Sequence, residues 1–302
     1  MRDDQKRLIA DALHLHISRA EHERNRRVAH QTRDILLKEV SRSVYLTLRV
    51  LPARVRPQIG LAYLLARTTD TIADTGVVSI DRRLAALDQL RQRILGKSDA
   101  PLDFGPLAEN QSSPAERLLL QESARTLWLL DHSQATDARL IREVLGIIIS
   151  GQELDLRRFA GAGPGQIIPL ADDAELNDYT YRVAGCVGEF WTNICTIHLL
   201  GDTAVNRESL LQDGIRFGHG LQLVNILRDL PRDLRQGRCY IPADQLASIG
   251  LTPADLLSPQ NEARFRPLYN RYLDQAQENL AAGWRYILAW PRRHVRVRLG
   301  CA

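Results

Sequence analysis

The segment Arg216–Pro242, RFGHGLQLVNILRDLPRDLRQGRCYIP, carries two aspartates four residues apart, Asp229 and Asp233. Four residues span about one helical turn, so both carboxylates lie on one face if the segment is an α-helix. Neighbouring carboxylates repel each other unless a cation lies near them. Mg²⁺ suits this position, because proteins hold it with a few carboxylates while phosphates and water complete its octahedron.

A second pair with the same spacing, Asp70 and Asp74, occurs in the segment LAYLLARTTDTIADT (61–75). One such pair is more typical of a solvated, charged helix face than of a metal site. Two pairs, each in an otherwise apolar segment, favour two helices that face each other across a cavity. Mg²⁺ bound between them would neutralise a diphosphate leaving group, so that an allylic carbon–oxygen bond can ionise.

The apolar periodicity of the chain predicts an all-α fold in a single domain over residues 1–302. No segment shows the alternation bounded by turn signals that is typical of strands. Gly76 and Gly96 are expected to end the helices before them. Gly146 and Gly151 indicate that something bulky approaches the helix over 137–159. Helices are expected over 8–51 with one or two breaks, 54–75, 80–95, 115–130, 137–159, 175–200, 206–235 and 262–289, with loops over 97–114 and 161–173.

Composition limits the classes of partner and the cellular location. The formal charge is +4, but no run of like charges resembles a nucleic-acid arm, and aromatic residues are only 6% of the chain. The four cysteines are scattered without a CxxC motif, so we expect reduced thiols in a cytoplasmic protein. Neither a signal peptide nor a membrane-spanning stretch is recognisable, which leaves peripheral membrane contact as a hypothesis. Because PRRHVRVRLGCA (291–302) stops without a helix cap, we expect the natural chain to continue.

Four segments together resemble the squalene/phytoene synthase family, in the family's order and over roughly residues 40–242. They are SRSVYLTLRVLP (41–52), YLLARTTDTIADT (63–75), YTYRVAGCVGEF (179–190) and LQLVNILRDLPRDLRQGRCYIP (221–242). The resemblance implies an all-α isoprenoid-synthase fold around a central apolar cavity. It also implies Mg²⁺-dependent head-to-head condensation of two prenyl diphosphates through a cyclopropylcarbinyl diphosphate.

The resemblance implies a role for each matching residue. Tyr179 matches the tyrosine credited with proton handling in the first half-reaction, and Tyr63 matches a pocket tyrosine, although taken alone it is more typical of a core position. The Mg²⁺ ligands would be Asp70, Asp74, Asn225, Asp229 and Asp233. The diphosphates would be bound by Ser41, Arg42, Ser43, Arg67, Gln222, Asn225, Arg228 and Arg238. Arg182 replaces a frequent tyrosine and would add positive charge if it faced the cavity, whereas His219 is interpreted as helix packing.

The segments YLLARTTDTIADT and GQELDLRRF (151–159) look more like bacterial squalene synthases than phytoene synthases. That branch implies a monomer that converts two farnesyl diphosphates to presqualene diphosphate and then, with NADPH, to squalene for sterol or hopanoid biosynthesis. Arg42, Arg67 and Arg228 match positions associated with NADPH. One alternative is a dehydrosqualene or phytoene synthase that needs no reductant. A second is a non-catalytic protein that binds lipid diphosphates or a membrane surface.

Overall fold

The computed structural model describes the backbone of residues 2–201, 203 and 205–301, and the side chains of residues 21–41, 44–201, 203 and 205–301. Helices form nearly all of the regular structure, which confirms the predicted all-α class. The α-helices are α1 (Arg2–Val40), α2 (Arg42–Val50), α3 (Arg56–Asp74), α4 (Ile80–Ile94), α5 (Gly105–Glu109), α6 (Pro114–Gln121), α7 (Ser123–Asp131), α8 (Ala135–Arg158), α9 (Asp173–Thr180), α10 (Cys186–Cys195), α11 (Arg207–Arg235), α12 (Ala243–Ser248), α13 (Glu262–Ala289) and α14 (Val295–Cys301). Strands β1 (Ile168–Pro169) and β2 (Arg238–Cys239) form one short parallel pair.

Several helix ends follow from local chemistry. Ser41 separates α1 from α2 and caps α2, since its Oγ accepts a hydrogen bond from Val44 N at 3.3 Å. Asn206 caps α11 in the same way, with its Oδ1 accepting from Ser209 N at 3.0 Å. Gly96 adopts a positive φ of 67° after α4, as predicted. Gly76 directly follows Thr75, the C-cap of α3, as predicted, although its φ is not positive.

Other boundaries also differ from the sequence-based expectations. The predicted loop over 97–114 contains α5, and the predicted helix over 115–130 is divided at Glu122 into α6 and α7. The predicted loop over 161–173 contains β1. The predicted helix over 175–200 consists of α9 and α10 with two π-helical segments, Tyr181–Gly185 and Thr196–Leu200. These differences involve short elements whose formation depends on tertiary contacts rather than on their own periodicity.

Helix α11 continues through Pro231, which lies between the two aspartates of its motif. Proline has no N–H, so the carbonyl four residues earlier, on Leu227, loses its helical partner. Tyr269 of α13 donates a hydroxyl hydrogen bond to that carbonyl at 3.4 Å. The tertiary structure therefore satisfies the group that the proline frees and preserves the one-turn separation of Asp229 and Asp233.

Glycines bring α10 and the π-helical segment Tyr181–Gly185 before it close to α11. A Cβ on Gly218 would lie 2.3 Å from the carbonyl oxygen of Ala184, and one on Gly188 would lie 2.0 Å from that of Gly214. On α8, a Cβ on Gly151 would lie 2.9 Å from Arg182 Cβ, which confirms the expected bulky neighbour there. Gly146 meets only an ordinary contact, 3.7 Å from Leu95.

Two clusters of buried apolar side chains support this arrangement. The larger cluster joins α1–α8 to α10 and the end of α13, while the smaller joins the end of α8 to α9, α11 and the middle of α13. Arg182 is directed to α8, because it donates to Ser150 Oγ and pairs with Asp178, each at 2.8 Å. His219 contacts the Thr180 hydroxyl at 2.7 Å, as expected for a packing residue. No described helix is both long enough and apolar enough to cross a bilayer.

Candidate active site

The first aspartate pair lies on α3, and both of its side chains line a cavity. Asp70 Oδ1 accepts a hydrogen bond from Gln152 Nε2 of α8 at 2.6 Å. Burial raises the pKa of Asp70 to about 6, and the negative charge of Asp74 acts in the same direction. Burial also raises the pKa of Asp74, although its side chain is open to water inside the cavity. This pair is therefore a poorly solvated anionic site.

The second aspartate pair lies on α11 and has a different environment. Arg228 donates from Nε and Nη2 to the two carboxylate oxygens of Asp229, each at 2.9 Å. Arg232 donates to the same carboxylate at 3.4 Å. The hydrogen bonds from Arg228 hold the pKa of Asp229 below its usual value. Asp233 is more enclosed, and burial raises its pKa despite the neighbouring guanidinium groups of Arg232 and Arg238.

The cavity beside these motifs has a volume of about 500 Å³. Its lining combines charged and polar side chains from α3, α4, α8 and β2 with apolar side chains from α4, α8 and the segment that follows α8. A volume in this range is typical of a small-molecule site. The lining consists of Asp70, Ala73, Asp74, Ile80, Arg83, Gly151, Gln152, Asp155, Leu156, Phe159, Ala160, Ala162, Tyr179, Val183, Gln222, Gln236, Arg238 and Tyr240.

Strand β2 places Arg238 in this lining. Arg238 pairs with Ile168 of β1, and the adjoining turn requires Gly237, whose φ is 82° and whose Cβ would lie 2.2 Å from Gly163 N. The Arg238 guanidinium carbon lies 5.8 Å from the centre of the Phe159 ring. Burial raises the pKa values of Asp74, Asp155 and Asp233, and the charge of Arg238 limits the rise in each, which places one cation among carboxylates from three elements.

The structure brings only part of the predicted site to the cavity wall. Asp70, Asp74, Tyr179, Gln222 and Arg238 belong to the lining, whereas the other predicted side chains that the structure describes, Asp229 and Asp233 among them, do not. Asn225 donates to Gln222 Oε1 at 3.4 Å and lies next to the lining, one turn before Asp229.

Three further predictions have different outcomes. Tyr63, which the resemblance predicts to be a pocket tyrosine, packs against the larger apolar cluster and is absent from the cavity lining. Arg67 forms an ion pair with Glu116, and Ser41 accepts from the α2 backbone. Arg42 and Ser43 lie outside the residues whose side chains are described.

Sequence reasoning missed five polar groups of the lining: Arg83, Gln152, Asp155, Gln236 and Tyr240. Gln152 and Asp155 are three residues apart on α8, directly after Gly151, and therefore share a helix face. Polar residues on one face of a mostly apolar helix could have indicated a site. Tyr240 donates to Asp155 Oδ2 at 2.7 Å and stacks on Tyr179 with ring centres 4.6 Å apart.

The carboxylates fit Mg²⁺ in their chemistry. Asp70 and Asp74 supply oxygen ligands in a poorly solvated setting, where a bound cation would offset the charge that burial disfavours. Among the described side chains, no three or more His, Cys, Asp or Glu residues come together as a complete metal-binding group. Mg²⁺ does not require one, because substrate phosphates and water supply several of its ligands.

The fit to NADPH is weaker. Arg67 is paired with Glu116, and Arg228 is paired with Asp229, so a cofactor phosphate would have to displace a carboxylate in each case. The side chain of Arg42 is outside the described set. These residues therefore do not define a nicotinamide site, and the prediction of NADPH binding stays a prediction.

The fold and site define an all-α protein whose cavity is lined by paired aspartates, two arginines and several apolar side chains, an arrangement suited to an isoprenoid diphosphate. The model of the family "Squalene/phytoene synthase" matches residues 37–302. The chain belongs to this family of head-to-head prenyltransferases.

Individual relatives are more distant. The bifunctional lycopene cyclase/phytoene synthase of Arthroderma gypseum is 29% identical over 250 residues, 80% of this chain and 39% of the relative. The presqualene diphosphate synthase of Zymomonas mobilis is 29% identical over 242 residues, 80% of this chain and 70% of the relative. The chain thus spans about two fifths of the length of the bifunctional relative.

Solved structures support the fold. The crystal structure of squalene synthase HpnC from Alicyclobacillus acidocaldarius is similar to this chain with a TM-score of 0.61 and 21% identity. The similarity covers 93% of this chain and 90% of that one. At this identity the likeness establishes the isoprenoid-synthase helical fold, while specificity has to be argued from the site.

Proposed function

We propose that this protein condenses two molecules of farnesyl diphosphate head to head, with Mg²⁺, to presqualene diphosphate and then reduces this intermediate with NADPH to squalene. The observation that carries the condensation step is the cavity whose lining Asp70, Asp74 and Arg238 share with the apolar side chains of Leu156 and Phe159. The carboxylates and the arginine fit a metal-bound diphosphate, and the apolar side chains fit a prenyl chain.

The mixture of charged and apolar side chains in the lining suits the ionisation of a prenyl diphosphate. When bound, Mg²⁺ would neutralise the departing diphosphate. Asp70 and Asp74 would hold the ions, and Arg238 would donate charge-assisted hydrogen bonds to diphosphate oxygens. The apolar groups would exclude water, which would otherwise capture the allylic cation as an alcohol.

The reductive step is supported by the resemblance to bacterial squalene synthases and has no geometry of its own in the site. The decisive assay incubates the protein with farnesyl diphosphate and Mg²⁺, with and without NADPH, and identifies the products by mass spectrometry. We expect squalene only with NADPH and presqualene diphosphate without it. Presqualene diphosphate under both conditions would overturn the reduction but support the condensation.

Parallel reactions separate the alternatives. Dehydrosqualene formed equally with and without NADPH would identify a synthase that needs no reductant. Phytoene from geranylgeranyl diphosphate, with no product from farnesyl diphosphate, would move the proposal to the longer substrate. Tight binding of farnesyl diphosphate without turnover in Mg²⁺ would favour a binding protein. Chelation of the metal by EDTA should stop all product formation.

We also propose peripheral contact with an anionic membrane through the end of α13 and α14, which would help a hydrocarbon product to leave. Residues 279–302 contain five arginines and no acidic residue. Arg298 joins the two helices by donating to the carbonyl of Leu288 at 2.6 Å. This C-terminal patch is defined by four exposed apolar side chains: Trp284, Leu288, Val295 and Leu299.

Flotation with phosphatidylglycerol vesicles tests this contact. Wild-type protein should float with the vesicles, and the double variant Trp284→Ser/Leu288→Ser should float less. Val77→Ser removes an apolar side chain that is even more exposed but lies in the turn after α3, and should behave as wild type. Wild-type protein that stays at the bottom of the gradient would contradict the proposed contact.

A further inference from the structure

A carboxylate that the aspartate motifs do not include lies against the aromatic side of the cavity. Asp155 accepts a hydrogen bond from the Tyr240 hydroxyl at 2.7 Å. Tyr240 stacks on Tyr179, with ring centres 4.6 Å apart and planes inclined by 25°. Phe159 packs edge-on against Tyr240 at 5.4 Å. All four side chains line the cavity, so this cluster is in contact with the space that a prenyl chain would fill.

The cluster is held rigidly. Tyr240 and Tyr179 are 6% and 9% exposed, which leaves little room for either ring to move. Tyr240 directly follows β2, whose neighbouring backbone is fixed by the hydrogen bond from Leu170 N to the carbonyl of Cys239 at 3.0 Å. Asp155 lies in the last turn of α8. The hydroxyl–carboxylate contact therefore joins two independently anchored elements.

Asp155 is incompletely satisfied for a buried carboxylate. Its Oδ1 atom is buried and has no hydrogen-bond partner in the structure, and the nearest cation, Arg158 Nη1, is 3.8 Å away. Arg158 is shared with Glu175, to which its Nη2 lies at 3.3 Å. Buried polar atoms are normally paired, so an unpaired one at a cavity wall suggests that it is used during reaction. A proton on this oxygen would remove the buried charge.

Closure of a cyclopropane ring releases a proton that must be accepted inside the cavity. After diphosphate leaves the first substrate, the allylic C1 of that substrate bonds to the double bond of the second substrate and gives a tertiary cation. A C1–H bond then breaks, its electron pair forms the third ring bond, and the proton departs. A neutral phenol accepts a proton only if it passes its own proton on at the same time.

We propose that Asp155 is the final acceptor of this proton, which moves through the hydroxyls of the Tyr179–Tyr240 pair. Tyr179 takes up the proton from C1 while its own hydroxyl proton passes to the oxygen of Tyr240, and the Tyr240 proton moves to Asp155 Oδ2 along the existing hydrogen bond. Atoms and charge balance, because one carboxylate becomes one carboxylic acid. The inference rests on the proposed condensation.

The electrostatic surroundings agree with this assignment. Burial raises the pKa of Asp155 to about 6, while Arg158 and Arg238 limit the rise. Each phenol also influences the pKa of the other, as expected for two hydroxyls in close proximity. Asp155 thus has a greater proton affinity than an ordinary carboxylate but still ionises near neutral pH, which is the range that favours a general base.

The test compares Asp155→Asn, which keeps an oxygen acceptor for Tyr240 but cannot take a proton, with Asp155→Glu and Tyr240→Phe. Asp155→Asn should lower kcat about 100-fold with KM changed less than about threefold. Asp155→Glu should recover part of this loss. Glu153→Gln is the matched control, because Glu153 lies on the same helix, pairs with Arg91 and is absent from the lining.

Two readouts exclude a merely structural role. In Asp155→Asn, [1,1-²H₂]farnesyl diphosphate should react several-fold more slowly than the unlabelled substrate, since removal of the C1 proton becomes rate-limiting. More of the cation should also be captured by water, so the ratio of farnesol to condensation product should rise. An unchanged product ratio and isotope effect in this variant would overturn the proposal. Wild-type protein that forms no cyclopropyl product from any prenyl diphosphate would instead overturn the proposed function, and this inference with it.

Discussion

The two aspartate motifs have the same one-turn spacing, but their first aspartates, Asp70 and Asp229, occupy opposite environments, whereas burial raises the pKa of both second aspartates, Asp74 and Asp233. Asp70 faces the cavity, takes its hydrogen bond from the neutral amide of Gln152, and has its pKa raised to about 6 by burial. Asp229 is absent from the cavity lining, is held by two arginines, and has its pKa lowered by Arg228. The α3 pair therefore lacks a strong cation partner of its own, whereas the α11 pair already has one.

This difference predicts different roles for the two pairs in binding metal and diphosphate. A carboxylate that burial penalises gains most from an added cation, so the α3 pair should be the primary metal site. The ion pairs of Asp229 are exposed and cost little to exchange, so they can open when a metal-bound diphosphate arrives. Arg228, once released, would be free to bind the diphosphate itself.

The largest expected effect is on turnover. Asp70→Asn and Asp229→Asn should each lower the rate with farnesyl diphosphate at least about 100-fold, because each removes a charged metal ligand. The helical circular dichroism should stay unchanged. Asp213→Asn serves as the control, since Asp213 also lies on α11 but pairs with Arg285. Substantial activity in Asp229→Asn would limit the metal site to α3.

A smaller effect separates the arginines near the two pairs. Arg238 lines the cavity among three carboxylates, whereas Arg228 is 64% exposed and bound to Asp229. Loss of a charge-assisted hydrogen bond costs about 1.5–3 kcal/mol, so Arg238→Gln should lower kcat/KM roughly 10- to 100-fold. Arg228→Gln should have a smaller effect, because its removal also frees Asp229. Equal losses in the two variants would mean that both arginines bind diphosphate in the same way.

These contrasts show what the sequence could and could not predict. The spacing of Asp70 and Asp74 in an apolar helix was sufficient to identify that pair, because helix geometry alone puts both on one face. Asp155 and Tyr240 are 85 residues apart, and their contact depends on how β2 packs against α8. The ion pair of Arg67 with Glu116 likewise joins separate helices, α3 and α6, so residue type alone predicted a free cation where the fold supplies an acidic partner.

The rise in melting temperature that Mg²⁺ and diphosphate produce should differ between variants of the α3 pair and of the α11 pair. Mg²⁺ with inorganic diphosphate should raise the melting temperature of the wild type by several degrees, since a ligand that binds only the folded state stabilises it. Asp70→Asn should lose most of this rise, while Asp229→Asn should keep part of it. Differential scanning fluorimetry with and without Mg²⁺ at constant ionic strength measures the difference. A full rise in Asp70→Asn would show that α3 is not the primary metal site.

The smallest effect concerns pH in the metal-free protein. Burial raises the pKa of Asp70 to about 6 in the folded state, above its ordinary value of 3.8. Between these two pH values the folded protein therefore binds more protons than the unfolded chain. Lowering the pH from 7.5 to 5.5 should therefore increase the contribution of this residue to the free energy of unfolding, by roughly 1 kcal/mol after allowance for its partial exposure. Asp229 has the opposite shift, so its stabilising contribution is present above its unfolded pKa and is lost only as the pH falls through its lower folded pKa.

Urea unfolding at the two pH values distinguishes these cases. Asp70→Asn should reduce the gain in stability between pH 7.5 and 5.5, whereas Asp229→Asn should leave it unchanged, because Asp229 stays ionised throughout that interval. Asp155 has a folded pKa of about 6 as well, so part of the gain should persist in Asp70→Asn and disappear only when Asp155→Asn is added. If the wild-type protein lost as much stability as the double variant when the pH was lowered, neither carboxylate would be penalised by burial. The proposed difference between the α3 and α11 pairs would then lose its electrostatic basis.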